Sequence, residues 1–295
     1  MSKKIVCFGE VLWDVFPTHK KIGGAPLNVA LRLQSFGNEV FMISQVGNDK
    51  NGEELVAYVK ENGVSTDFIA KDTVYKTGEV NVTLDFSGSA TYEISHPRAW
   101  DKIGINPAMK NVVKSSNAFI FGSLVARDEV SKNTLLDLLE VAKYKIFDLN
   151  LRPPHYTKEL LIDLMQNADF IKFNDEELFI VSAFLDSKYH NLEQNIRYIA
   201  KKTNTKYICV TKGKFGAVLL FNDTFYYNSG YQVLVKDTVG AGDSFLATLT
   251  DQLLRKIDPQ TSIDFACAVG ALVAQSEGAN PKIPQKLIEE FMNPK

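Results

Sequence analysis

Ile5-Val-Cys-Phe8, Pro26-Leu-Asn-Val-Ala-Leu-Arg-Leu-Gln-Ser-Phe36 and Val40-Phe-Met-Ile-Ser-Gln-Val46 follow one another near the N-terminus, and their order decides the fold. The outer two are near-continuous apolar runs, the pattern of strands buried on both faces. The middle segment is amphipathic with a helical period. Pro26 suits a first helical turn and Gly37 a C-terminal stop. Strand, helix and strand in this order make a βαβ unit with parallel strands.

The same alternation runs outward along the chain. Phe119–Phe121, Lys145–Asp148, Phe170–Phe173 and Tyr207–Thr211 read as further buried strands. Gly52–Asn62, stopped by Gly63, and Lys132–Lys143 and Leu192–Lys202 read as helices between them. The expected fold is α/β, a three-layer α/β/α domain over residues 1–295 with a mainly parallel central sheet. One stretch departs from it. Glu79–Phe86 alternates strictly, with Val80, Val82, Leu84 and Phe86 on one face, and Ser87-Gly88-Ser89 follows as a turn before Thr91–Ile94. That is a hairpin with one apolar face, and Val11–Phe16 can add a strand to it. A small antiparallel lid is therefore expected from about 11–21 and 72–101.

The totals exclude several classes. Of 295 residues, 45% are hydrophobic and 23% charged, as in ordinary globular chains. The net charge of −2 offers no basic field for nucleic acid or an anionic membrane. Cys7, Cys209 and Cys267 lie far apart among apolar neighbours, so they read as reduced core residues, neither a disulfide framework nor a zinc site. Only four apolar-leaning residues precede Gly9-Glu10, too few for a signal peptide core, and no later run could span a bilayer. A cytoplasmic location is expected.

Chemistry concentrates in Asp237-Thr-Val-Gly240-Ala241-Gly242-Asp243 and the helical stripe that follows it, Phe245, Leu246, Leu249, Leu253 and Leu254. A glycine-rich backbone entering a helix presents free N–H groups and the positive dipole end, hence an anion site. Asp243 is then either a reactive carboxylate at the helix start or an N-cap after a tight turn. Neither a Walker A loop nor a GxGxxG fingerprint is present. Gly23-Gly24-Ala25-Pro26-Leu27-Asn28 also precedes a helix, and Asp14 stands among apolar residues after the first strand.

These two glycine segments, in this order, resemble the two signatures of the ribokinase-like (PfkB) carbohydrate kinase family. The resemblance runs from Gly9-Glu10 to Gly278-Ala279-Asn280-Pro281. It implies transfer of the γ-phosphoryl of ATP to a primary hydroxyl of a sugar or nucleoside. In that reading Asp243 takes the hydroxyl proton, and the backbone of Gly240, Ala241, Gly242 and Asp243 stabilises the transferring charge. Asp14, Gly23, Gly24 and Asn28 match positions around the sugar. Asn174 and Glu177, in Asn174-Asp-Glu-Glu177, match a motif that organises Mg²⁺ and its waters. A helix N-cap with an acidic first turn fits the same letters.

Thr211, Gly213, Gly216, Gly240, Gly242 and Asn280 match the nucleotide side, with Asn280 in the segment bordering the adenine. Asp237 and Val239 lie where members often place a monovalent cation such as K⁺. Asp148-Leu-Asn150-Leu-Arg152 and Gly9-Glu10-Val-Leu-Trp-Asp14 resemble fructokinases most, so fructose is the implied acceptor. Arg152 suits a phosphate or sugar partner, and an Asp148–Arg152 ion pair fits the segment equally. Another sugar, such as ribose or a keto-deoxy acid, is the alternative acceptor. A sugar-binding regulator without catalysis is the alternative of a different class. The lone histidines carry no shared spacing. Trp13 and Trp100 flank the lid, with packing as their expected role. Exposed lid edges leave room for a homodimer.

Overall fold

A computed structural model describes residues 2–84 and 90–293. Its strands are β1 (Lys4–Phe8), β2 (Leu12–Val15), β3 (Lys20–Gly23), β4 (Glu39–Gly47), β5 (Ser65–Asp72), β6 (Gly78–Leu84) and β7 (Ala90–Ile94). They continue with β8 (Ala118–Gly122), β9 (Lys145–Asp148), β10 (Phe170–Asn174), β11 (Tyr207–Thr211), β12 (Ala217–Phe221) and β13 (Thr224–Asn228). The helices are α1 (Ala25–Ser35), α2 (Lys50–Glu61), α3 (Pro107–Ser115), α4 (Glu129–Leu139) and α5 (Lys158–Gln166). After them come α6 (Asp175–Phe184), α7 (Leu192–Thr203), α8 (Ala241–Leu254), α9 (Pro259–Ala274) and α10 (Gln285–Met292).

Nine strands form the central sheet in the order β13-β12-β11-β10-β9-β8-β1-β4-β5. Every pairing from β11 to β5 is parallel, and β12 and β13 close one edge as antiparallel strands. β1 lies inside the sheet, between β8 and β4, and is buried from Ile5 to Phe8. Ile5 and Cys7 pack into a core with α1, α2, α8 and α9, while Val6 and Phe8 pack into the opposite core with α3 to α7. A strand alternating into two cores must be apolar at every position, which is why its sequence shows no polar face. All three cysteines are free and buried.

From β1 the chain builds β4 and β5 on one side, then returns to build β8 on the other. The switch point therefore falls between β1 and β8, and doubly wound sheets take ligands at the carboxyl ends of such strands. The second sheet has the order β3-β2-β6-β7. It consists of two antiparallel hairpins, β2–β3 and β6–β7, whose inner strands β2 and β6 pair in parallel. Val80 and Val82 are buried against Leu12, Phe16 and Ile94, the apolar face expected from the alternation. The turn read at Ser87-Gly88-Ser89, and Asp85 and Phe86, lie outside the described residues.

Trp13 and Trp100 are both buried: Trp13 donates Nε1–H to the Asn51 carbonyl at 3.0 Å, and Arg127 stacks 4.1 Å from the Trp100 ring. Both pack, as expected. The helix read at Lys132–Lys143 begins earlier, because Asp128 caps α4 through the Val130 N–H. Among the described residues no helix is long and apolar enough to cross a membrane.

Candidate active site

The glycine segment forms the start of α8. Gly240 adopts φ +78° as its N-cap, without a side-chain cap. A Cβ at Gly240 would stand 2.6 Å from the backbone of Ala279, so only glycine lets the loop turn and meet the C-terminal tail. Ala241 N–H donates to the Thr238 carbonyl and Ser244 N–H to the Gly240 carbonyl. The N–H groups of Gly242 and Asp243 have no acceptor among the described residues. Two free donors at the positive end of a fourteen-residue helix make an anion site.

Asp243 is held from α1. Asn28 Nδ2 donates to Asp243 Oδ2 at 2.8 Å, and Asn28 Oδ1 accepts from Asn280 Nδ2 at 2.8 Å. One helical turn later, buried Arg32 donates Nε–H to Ser244 Oγ at 3.2 Å and an Nη2–H to the Pro281 carbonyl at 2.9 Å. Residues four apart share a helix face, so this polar stripe on α1 locks it to α8. Burial, then the Asp148 charge, pushes the Asp243 carboxyl up to about 6, while Asn28, Lys172 and Arg152 pull it down. Such a carboxylate is a better proton acceptor than an ordinary aspartate.

Lys172, on β10, is the residue the sequence reading missed. Its Nζ lies 3.1 Å from Asp148 Oδ1, with side-chain exposures of only 8% and 6%. Burial opposes its charge, yet Asp148, Glu177 and Asp243 more than offset that, and its pKa is raised. A Cβ at Gly242 would touch this ammonium at 3.5 Å and nothing nearer, so Lys172 stands beside the anion loop. The signal for it was a charge inside the otherwise apolar Phe170–Phe173 run.

The expected Asp148–Arg152 pair is not made. Lys172 and Asp148 are direct partners in the β9–β10 register, so the strand pairing presents the lysine first. Arg152 is exposed, donates among the described residues only to the Leu151 carbonyl, and acts as counter-charge to Glu10, Asp14 and Asp243. Asn150 precedes it in a left-handed conformation with φ +41°. The Asp14 carboxylate lies directly over Gly23, where a Cβ would collide with it. Burial pushes Asp14 up to about 6, against the pull of Arg152 and Lys21. Gly24 caps α1 and accepts the Asn28 N–H. Asp14, Asn28 and Asp243 are thus linked through the β3–α1 junction.

On the other side of the loop lies a cleft of about 720 Å³. Asn174, Thr211, Gly213, Gly216 and Gly242 line it, with Phe215, Tyr231, Val233 and Val235 as apolar walls. Asn280, read in the segment bordering the adenine, donates to Asn28, and the tail that carries it crosses over Gly240. Asn174 and Glu177 form a reciprocal capping box on α6, so the capping reading of these letters is realised. Glu177 Oε2 accepts the Asn174 N–H and its Oε1 the Leu151 N–H.

No cluster of three His, Cys, Asp or Glu side chains suited to a metal occurs among the described residues. The donors fit a hydrated Mg²⁺ that arrives on phosphates: Asp148 Oδ2 is buried without a partner, and Asn174 borders the cleft. Asp237 accepts the Val239 and Gly278 N–H groups and lies 3.7 Å from Lys21 Nζ. Its carboxylate thus shapes the loop.

The model of the pfkB family carbohydrate kinases matches residues 1–286. The chain belongs to the pfkB family. Fructokinase-2 of Solanum lycopersicum is 29% identical over 316 residues, spanning 96% of this chain and 94% of that protein. An uncharacterized sugar kinase of Pyrococcus horikoshii, solved in complex with ATP, is 26% identical with a TM-score of 0.83 over 97% of this chain and 99% of that one. Fructokinase of Xylella fastidiosa with bound ATP shares the fold at a TM-score of 0.87, with 23% identity over 98% of both chains. This pfkB carbohydrate kinase therefore carries its family signatures where α1, α8 and the tail converge.

Proposed function

We propose that this sugar kinase transfers the γ-phosphoryl of ATP to a primary hydroxyl of fructose. The observation that carries the proposal is the position of Asp243. Its carboxylate is held by Asn28 on the Asp14 side, while the neighbouring Gly242, whose N–H has no acceptor among the described residues, lines the cleft together with Thr211 and Gly213. A sugar hydroxyl at Asp243 and a phosphate at the loop would meet there.

In this mechanism Asp243 takes the proton of the attacking hydroxyl as its oxygen bonds to the γ-phosphorus and the bond to the ADP oxygen breaks. The Gly242 and Asp243 N–H groups and Lys172 receive the charge on the transferring oxygens. Magnesium bound with ATP would neutralise phosphate charge, with Asp148, Asn174 and Glu177 holding its waters. Phe215 and Tyr231 would wall the base. Fructose is favoured over other acceptors by the Asp148-x-Asn150-x-Arg152 segment and by the fructokinases among the relatives.

A keto-deoxy acid is the second reading, because exposed Arg152 donates to a backbone carbonyl and has charge left to meet a carboxylate. The test is ADP production from ATP·Mg²⁺ with fructose, ribose, glucose, a keto-deoxy acid and adenosine. Fructose preference supports the proposal, and preference for the acid supports the second reading. Sugar binding without any turnover would favour a regulator instead.

A further inference from the structure

Glu10 is the second residue after β1, at the switch-point crevice between β1 and β8. It is only 3% exposed, and its Oε2 reaches no hydrogen-bond partner. Nearby Phe8 and Val11 are apolar and fully buried, so packing alone would be served by another apolar side chain here. A buried carboxylate oxygen without a donor is unfavourable, and such groups persist where a ligand completes them.

The charges acting on Glu10 come from three directions. Asp243 lies at the start of α8, Arg152 in the loop after β9, and Arg127 in the turn after β8. Arg127 is bound to Asp101 through Nε at 2.8 Å and Nη2 at 2.9 Å, so it is largely neutralised. Its Nη1 is buried and, like Glu10 Oε2, lacks a partner.

We propose that Glu10 is a third carboxylate of the acceptor site, beside Asp14 and Asp243, and that its Oε2 accepts a hydroxyl hydrogen of a neutral sugar. This rests on the sugar-kinase reading above and narrows its substrate class. Every hydroxyl of a polyol can donate, so three carboxylates around it are complementary. An acid sugar would bring a fourth negative charge among them, against one exposed arginine. Neutral acceptors are thereby selected over keto-deoxy acids. Burial holds the Glu10 carboxyl up to about 7, and hydroxyl donation from the sugar would favour its ionised form.

The test is steady-state kinetics of the wild type, Glu10→Gln and Glu10→Asp with fructose and with 2-dehydro-3-deoxygluconate. Glu10→Gln is expected to raise the fructose KM about tenfold or more, with the loss falling on KM more than on kcat. The ATP KM should stay within about twofold, and the preference for fructose over the acid should narrow. A fructose KM and preference both unchanged in Glu10→Gln would overturn the inference while leaving the kinase reading intact. Should that variant fail to fold, Glu10→Asp decides, since it keeps the charge but withdraws the oxygen by one methylene. An unchanged fructose KM there, or failure of both to fold, makes Glu10 a core ion and ends the proposal. Wild type turning over neither acceptor would sink the kinase reading and this inference together.

Discussion

Asp243 concentrates the residue-scale chemistry, and two of its properties are separable. As the proposed base it would contribute about 10²–10⁴-fold to rate. Asp243→Asn is therefore expected to lose kcat on that scale while ATP still binds, since the loop N–H groups are untouched; a variant with near wild-type kcat would remove Asp243 from the role. Its raised pKa gives a second expectation. The base works ionised, and its carboxyl sits at about 6 because burial disfavours the charge. The value of kcat/KM should thus fall as pH drops through about 6, whereas an unperturbed aspartate would hold activity to about 4. Since Asp14 is also held at about 6 and Glu10 at about 7, the profile must be repeated with Asp14→Asn and with Glu10→Gln, and the acid limb should persist in both. Activity flat down to pH 5 would contradict the buried-base assignment. The glycine loop at the start of α8 was legible in the sequence because it is a local pattern, while the role given to Asp243 came from the family resemblance. Lys172 and Glu10 were not legible, because their meaning lies in the β9–β10 register and in the crevice between β1 and β8, which join residues distant in the chain.

At the scale of elements, the two glycines of the α8 loop do different work. Gly240 is required by shape: φ is +78° and a Cβ would collide with Ala279. Left-handed backbone costs a non-glycine residue about 1–2 kcal/mol, before any displacement of the tail. Gly240→Ala should lower the melting temperature and weaken ATP together. Gly242 has ordinary helical backbone, and its added methyl would meet only Lys172 Nζ at 3.5 Å. Gly242→Ala should fold with an unchanged melting temperature yet raise the ATP KM, because the methyl enters the cleft. Equal melting losses in both would show that the loop is one structural unit with no such division. The elements themselves were readable to different degrees. Parallel strands show as continuous apolar runs, so β1, β4, β8, β9, β10 and β11 were found. β12 is just as apolar, Ala217-Val-Leu-Leu-Phe221, but runs antiparallel, and periodicity carries no direction. α9 was missed because its apolar residues surround the helix, leaving no polar stripe to mark a period.

For the whole molecule, the small sheet and the anion loop meet, among the described residues, in an exposed ion pair. Lys21 on β3 reaches Asp237 Oδ2 at 3.7 Å, with side chains 46% and 24% exposed. A surface pair of this kind is worth about 0–1 kcal/mol, so it contributes little to stability. Its consequence is geometric: it sets the small sheet, which carries Asp14, against the loop that carries Gly240 and Asp243. A lid seated there would keep water from competing with the sugar hydroxyl for the γ-phosphoryl. Lys21→Met should leave the melting temperature nearly unchanged while loosening that seat. The measurable result is uncoupling, seen as more ADP released than sugar phosphate formed, whereas the wild type keeps the two equal. If the ratio stays at unity in Lys21→Met, the contact is only a surface pair, and water must be excluded by the apolar lid face of Leu12, Val80 and Val82.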